Sequence, residues 1–176
     1  IIALQKDGYT FISLTKAYQY LQNDFIRRKK YAVLTFDDGN HSLVEVLPWL
    51  EEQHIPVTLF INGKYLDGRS YRDTPKEQYV TYDELFALTN PLIEIGHHGW
   101  EHRDATKMTV EELRESLREN IDILSPHPRY IPYWAYTWGR HTDISDSFLK
   151  RNDIIPVIIT GSKNYQFNDY IIRELL

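Results

Sequence analysis

An α/β architecture, with a parallel sheet or barrel and helices outside it, is what the sequence predicts, and three observations predict it. Short apolar runs of strand length alternate with stretches whose apolar residues recur at helical spacing. Most connections between them are short, which is the β-α-β-α order of a parallel sheet. Residues with chemistry to offer follow strand ends directly, where folds of this class gather their reactive groups.

The elements follow in chain order. Ala17, Tyr18, Leu21, Phe25 and Ile26 sit at helical spacing within 15–29. The basic run at 27–30 reads as the solvated end of that helix, where cations complement the dipole. Tyr31 to Phe36 is a strand. Residues 42–53 form a helix, with Pro48 expected in its first turns. Val57 to Ile61 is a second strand. Thr81-Tyr82-Asp83-Glu84 is a capping box that opens a helix to about residue 89. Leu92 to Ile95 is a third strand. Thr109-Val110-Glu111-Glu112 is another capping box, opening a helix through Leu124. Residues 129–135 make a fourth strand, 143–151 a helix, and Ile154 to Ile159 a fifth strand. The connection from Gly63 to Val80 is long and polar, and reads as a surface insertion or the rim of a cleft. With 176 residues and no repeat or linker, a single domain spanning 1–176 is expected. Its opening at Ile1 rather than Met reads as a trimmed N-terminus.

Composition removes several classes of function. There is no Cys, so disulfides and thiolate metal sites are excluded. No apolar stretch has the length to span a bilayer. A net charge of −5 with one short basic run offers no nucleic-acid surface. Aromatic residues reach 14%; they either fill the core or stack on sugar faces, and most are assigned to the core.

Three clusters carry chemistry. Asp37-Asp38-Gly39 follows the first strand. Neighbouring side chains on an extended chain diverge, but a turn at Gly39 can bring both carboxylates to one rim. One then binds a metal while the other accepts a proton from water; an ordinary solvated turn has the same composition. His97, His98 and His102 follow the third strand. His98 and His102 are at i and i+4, so a helical turn would put both imidazoles on one face. Asp38 supplies a third ligand, leaving room for water and substrate. His97 is adjacent to His98 and should diverge from it; it is either an alternative ligand or a support behind the ligands. Ile131 to Arg140 is rich in rings and reads as a groove wall offering a backbone N–H to an oxyanion, or as a buried strand with a turn.

In this order the three clusters resemble the polysaccharide deacetylases of the NodB-homology type, carbohydrate esterase family 4. Thr35-Phe36-Asp37-Asp38-Gly39 matches the family's first motif. Residues 98–102 match its His-Ser/Thr-x-x-His motif, with Gly99 at the hydroxyl position, and Ala135 to Gly139 align with its third. The resemblance runs over roughly residues 5–174, and the opening Asp7 to Leu14 looks like the family's lead-in. Residues 156–161 and 168–173 look like the branch that acts on exopolysaccharides such as poly-N-acetylglucosamine.

The resemblance implies a distorted (β/α) barrel of parallel strands with outer helices. It also implies metal-dependent removal of N-acetyl groups from poly-N-acetylglucosamine, a chitin-like polymer or a peptidoglycan sugar. Asp37 would be the general base. Asp38, His98 and His102 would bind one divalent cation, zinc first, with nickel or cobalt also suited. The Trp138 N–H would help hold the oxyanion. Trp100, Trp134 and Tyr136, with Trp138, would stack on the polysaccharide or oligosaccharide substrate. Such enzymes work in a secreted, periplasmic or cell-surface setting.

Three departures accompany the resemblance. Gly99 lacks the bracing hydroxyl, Ala135 stands where the family often has Arg, and no Leu-x-His follows Leu149. The general acid is therefore open among His141, His127, His97 and water on the metal. A carbohydrate-binding relative with weakened or lost turnover is the alternative these departures favour. A hydrolase acting on another amide is a third reading.

Overall fold

A computed structural model describes residues 1–23, 29–66, 78–159 and 171–173. The two-residue strands β1 (Thr10–Phe11) and β2 (Tyr31–Ala32) pair in parallel. The main sheet holds six parallel strands in sequence order: β3 (Leu34–Phe36), β4 (Val57–Ile61), β5 (Ile93–His97), β6 (Tyr130–Ala135), β7 (Ile155–Ile159) and β8 (Ile171–Arg173). Only Val33 separates β2 from β3, so one stretch of chain passes from β1 to β4 as its partner. The sheet curls into a half-barrel with helices packed outside it, the distorted barrel expected.

Every residue of β4 and β5 is buried, as in parallel sheets covered on both faces. One face packs against α3 (Ser42–Glu52): Leu43, Leu47 and Leu50 meet Val57, Leu59, Ile93 and Ile95. A second cluster joins Leu113 and Leu117 of α5 (Val110–Leu124) to Trp134, Tyr136 and the α6 (Asp143–Arg151) residues Phe148 and Leu149. A third joins Leu14, at the start of α2 (Leu14–Gln22), to Phe60, Tyr133, Ala135 and Val157.

The capping boxes at Thr81 and Thr109 open α4 (Tyr82–Ala87) and α5 as expected. The last helix runs over 143–151 and is capped by Thr142 and Ser145. The helix expected over 15–29 is capped by Ser13 and observed to Gln22; its continuation and Arg27-Arg28 lie outside the described residues, as do 67–77 of the long connection and 160–170 of the closing stretch. Pro48 lies inside α3, not in its first turns. It is exposed, so the carbonyl left without its N–H partner is on the side that water reaches. The short α1 (Ile2–Lys6) and the strands β1 and β8 have no counterpart in the expected order.

One buried carboxylate ties layers together. Glu94 on β5 accepts hydrogen bonds from the Leu14 and Thr15 N–H groups (2.9 and 3.3 Å) and from Thr58 Oγ1 (3.1 Å). It therefore caps α2 across the sheet, placing negative charge at a helix N-terminus.

Candidate metal centre

Loops at the carboxyl ends of β3, β5 and β6 supply the centre. After β3, Asp38 (φ 70°) and Gly39 (φ 79°) are both left-handed. Two such residues reverse the chain, and the Gly39 N–H donates to the Asp37 carbonyl at 2.9 Å. A Cβ at Gly39 would come within 3.0 Å of Ile61, so the position suits glycine on steric grounds as well. The reversal overcomes the divergence of neighbouring side chains. Asp37 Oδ2 lies 3.8 Å and Asp38 Oδ1 3.3 Å from His98 Nε2.

His98 continues the line of β5, its N–H donating to the Ile61 carbonyl at 2.9 Å. Its ring Nδ1 lies 2.8 Å from the Ala135 carbonyl at the end of β6. A carbonyl only accepts, so Nδ1 carries the proton and Nε2 presents a lone pair. That lone pair faces Asp38 Oδ1. His102 Nε2 lies 3.1 Å from the same oxygen, and its ring is 5.2 Å from that of His98.

The two histidines do not meet on a helical turn. Gly99 (φ 83°) and His102 (φ 57°) are left-handed, and 98–102 is an irregular loop. Asn62, directly after β4, donates from Nδ2 to the carbonyls of His98 (2.6 Å) and Gly99 (3.1 Å). Ser116 of α5 accepts from the Trp100 N–H at 2.9 Å. Asn62 obeys the same strand-end rule as the aspartates, but its carboxamide has no acid–base chemistry to single it out in the sequence.

The centre fits a divalent cation. Asp38 Oδ1 is buried and receives no hydrogen bond. It faces an imidazole lone pair at a distance where two lone pairs repel, unless a positive charge lies between them. One ligand atom from each of Asp38, His98 and His102 falls within 4.8 Å of the others. Two imidazole nitrogens and one carboxylate oxygen are a donor set of catalytic zinc sites, and the Ala135 carbonyl behind His98 is the partner such ligands commonly have.

The other expected site residues fall in different places. His97 is fully buried, on the opposite side of β5 from His98, between Trp134 and the Tyr130 hydroxyl, which lies 2.9 Å from its Nε2. Burial pushes its pKa down to about 3, so it is neutral at pH 7; it neither reaches the centre nor serves as an acid there. His127 is buried before β6, at the opposite end of the sheet, bonded to the Leu85 carbonyl. Trp134 and Tyr136 are 3% and 1% exposed and belong to the core, because the aromatic stretch is a buried strand for most of its length; neither can stack on a sugar. Trp100 is half-buried against Gly63.

Trp138 alone of these rings stands well out, half exposed, with φ 53° and its ring edge-on to His102 at 4.7 Å. The Arg140 guanidinium lies 5.7 Å from that ring and pairs with Asp104 at 2.9 Å. These residues, with His102 and Lys107, line an open groove of about 680 Å³. His141, on the same loop, stacks on Tyr136 and bonds through Nδ1 to Asp146 at 3.0 Å, leaving it partly exposed.

Comparison with known proteins places this geometry in context. A family model described as polysaccharide deacetylase matches residues 26–154. The chain is 26% identical over 130 residues to the peptidoglycan-N-acetylmuramic acid deacetylase PdaC of Bacillus subtilis. That match covers 73% of this chain and 24% of PdaC, so the chain spans about a quarter of that relative's length. The fold is similar to the Streptococcus pyogenes deacetylase PplD in complex with acetate (TM-score 0.75, 19% identity, 97% of this chain and 76% of that one). It is similar also to IcaB from Ammonifex degensii (TM-score 0.76, 20% identity, 98% and 79%).

Proposed function

Because the chain belongs to the polysaccharide deacetylase family, we propose that it hydrolyses N-acetyl groups of an N-acetylated polysaccharide with the help of one divalent cation. The observation that carries this reading is the convergence of Asp38 Oδ1 with the Nε2 atoms of His98 and His102. A cation held there, zinc by its donor set, with nickel or cobalt as substitutes, supplies Lewis acidity to the acetyl carbonyl and acidifies water.

The chain's own residues do the rest. Asp37, next to the ligands and partly open to solvent, accepts the proton of the attacking water. The Trp138 N–H, set by a left-handed backbone, is offered to the oxyanion. His141, oriented by Asp146, is the proton donor to the departing amine. The exposed face of Trp138 is the platform for the sugar, with the half-buried Trp100 of the 98–102 loop as a second ring. Poly-N-acetylglucosamine, chitin-like polymers and peptidoglycan are the candidate substrates, and all of them place the enzyme outside the cytoplasm. The name of PdaC makes peptidoglycan the first to try.

The test is acetate release from chito-oligosaccharides and peptidoglycan fragments, before and after chelation and with zinc restored. Release that stops with the chelator and returns with zinc is expected. The missing Leu-x-His motif favours a second reading, a sugar-binding relative without turnover. Zinc bound at the centre with no acetate released from any of these substrates would support it.

A further inference from the structure

We propose that Asn62 and Ser116 are positioning residues for the cation: they fix the 98–102 loop so that the two imidazoles meet. This rests on the reading of Asp38, His98 and His102 as ligands.

Six backbone groups of that loop have identified partners. The His98 N–H donates to Ile61, the last residue of β4. The carbonyls of His98 and Gly99 both accept from Asn62 Nδ2. The Trp100 N–H donates to Ser116 Oγ, and its carbonyl accepts from the Lys64 N–H at 3.0 Å. The Glu101 carbonyl accepts from the Tyr65 hydroxyl at 3.2 Å. Between its two histidines the loop is thus pinned by residues 61–65 and by one helix residue.

Asn62 is 1% exposed, and its orientation is not arbitrary. Two carbonyl oxygens lie against its terminal atom, so that atom must be the NH₂; the flipped amide would set three acceptors together. The next residue is tied down too: the Gly63 N–H donates to Asn120 Oδ1 of α5 at 3.0 Å. A Cβ at Gly63 would come within 2.4 Å of that oxygen and 2.7 Å of the Trp100 ring. The anchor is therefore packed on both sides.

Gly99 explains why the anchor lies outside the loop. Its φ of 83° is one that residues with a side chain rarely adopt, so the backbone rather than the space around it favours glycine. A loop that needs glycine at this position cannot carry its own hydroxyl brace there, and a carboxamide from β4 and a hydroxyl from α5 take that place.

Asn62→Asp tests the idea with almost no change in shape, because it replaces the donor by an acceptor facing two carbonyls. Asn62→Ala and Ser116→Ala remove the bonds without that conflict. The measurements are zinc dissociation constants by chelator competition, the visible spectrum of the cobalt-substituted protein, and thermal unfolding in chelator. Zinc binding should weaken about 10–100-fold in the Asn62 variants and by less in Ser116→Ala, as for other residues that orient ligands. The cobalt spectrum should change, and the metal-free fold should persist. Zinc affinity and cobalt spectrum equal to wild type in folded Asn62 variants would overturn the proposal. If the Asn62 variants do not fold, unchanged values in Ser116→Ala overturn it. Failure of the wild-type protein itself to bind zinc would overturn the ligand assignment instead.

Discussion

Asp37 and Asp38 are neighbours whose surroundings separate their work. Asp38 Oδ1 lies 3.3 and 3.1 Å from the Nε2 atoms of His98 and His102, while Asp37 Oδ2 stands farther from His98, at 3.8 Å. Asp37→Asn should reduce turnover by about 10²–10⁴-fold while zinc content stays that of wild type, since it removes a proton acceptor and no ligand. Comparable turnover in the variant would end its assignment as base. His102→Ala should deplete zinc after dialysis, because two ligands remain; undiminished zinc would remove His102 from the centre. At this scale the sequence was informative where spacing and strand ends constrain side chains. Alternation separates His97 from His98, and Gly39 permits the turn that joins the aspartates. It was uninformative for Trp134 and Tyr136, whose exposure depends on what packs over β6.

Helix starts were the most legible elements because their caps are local chemistry. Thr81 and Thr109 mark α4 and α5 by side chains bonding within three residues. The Thr142 hydroxyl does the same for α6, accepting from the Ser145 N–H at 3.1 Å. Thr142→Ala should lower stability by about 1 kcal/mol in urea unfolding; no loss would mean that packing alone holds α6. Strands of two residues cannot show a period, which hides β1. The 98–102 loop was misread as a helical turn because the i, i+4 spacing that suits a helix also suits a bracket built from another strand. Glu94 shows a link no local pattern contains. Glu94→Ala should cost about 3 kcal/mol, leaving two helix N–H groups and Thr58 without their acceptor. A denaturant midpoint within error of wild type would refute its role in joining α2 to the sheet.

For the molecule as a whole, buried histidines set the response to acid. His97 titrates at about 3 in the fold against an ordinary 6.5, and burial lowers His127 as well. The unfolded chain takes up these protons first as pH falls. Between about pH 6.5 and 3 it binds more protons than the native state, so stability falls with pH, by up to about 1.4 kcal/mol per unit for His97. The urea midpoint should be lower at pH 5 than at pH 7, and the difference should shrink in His97→Phe. Equal midpoints would contradict a neutral buried His97. The overall architecture was readable because β-α alternation leaves few topologies, whereas the curl of the sheet and the break at Val33 arise from pairings between distant strands. One such pairing reaches into the chemistry. Along the β5–β6 seam, Ile95 is level with Tyr130 but His97 with Trp134, so two steps on one strand correspond to four on the other. That offset brings the Ala135 oxygen to His98. Every amino acid owns a main-chain oxygen, so the bond that keeps the proton on Nδ1 depends on where the backbone at 135 lies and not on a side-chain group there. Deleting one residue from 131–133 would slide a different peptide group into its place and turn the ring away, an injury to the centre inflicted without touching any residue that faces it.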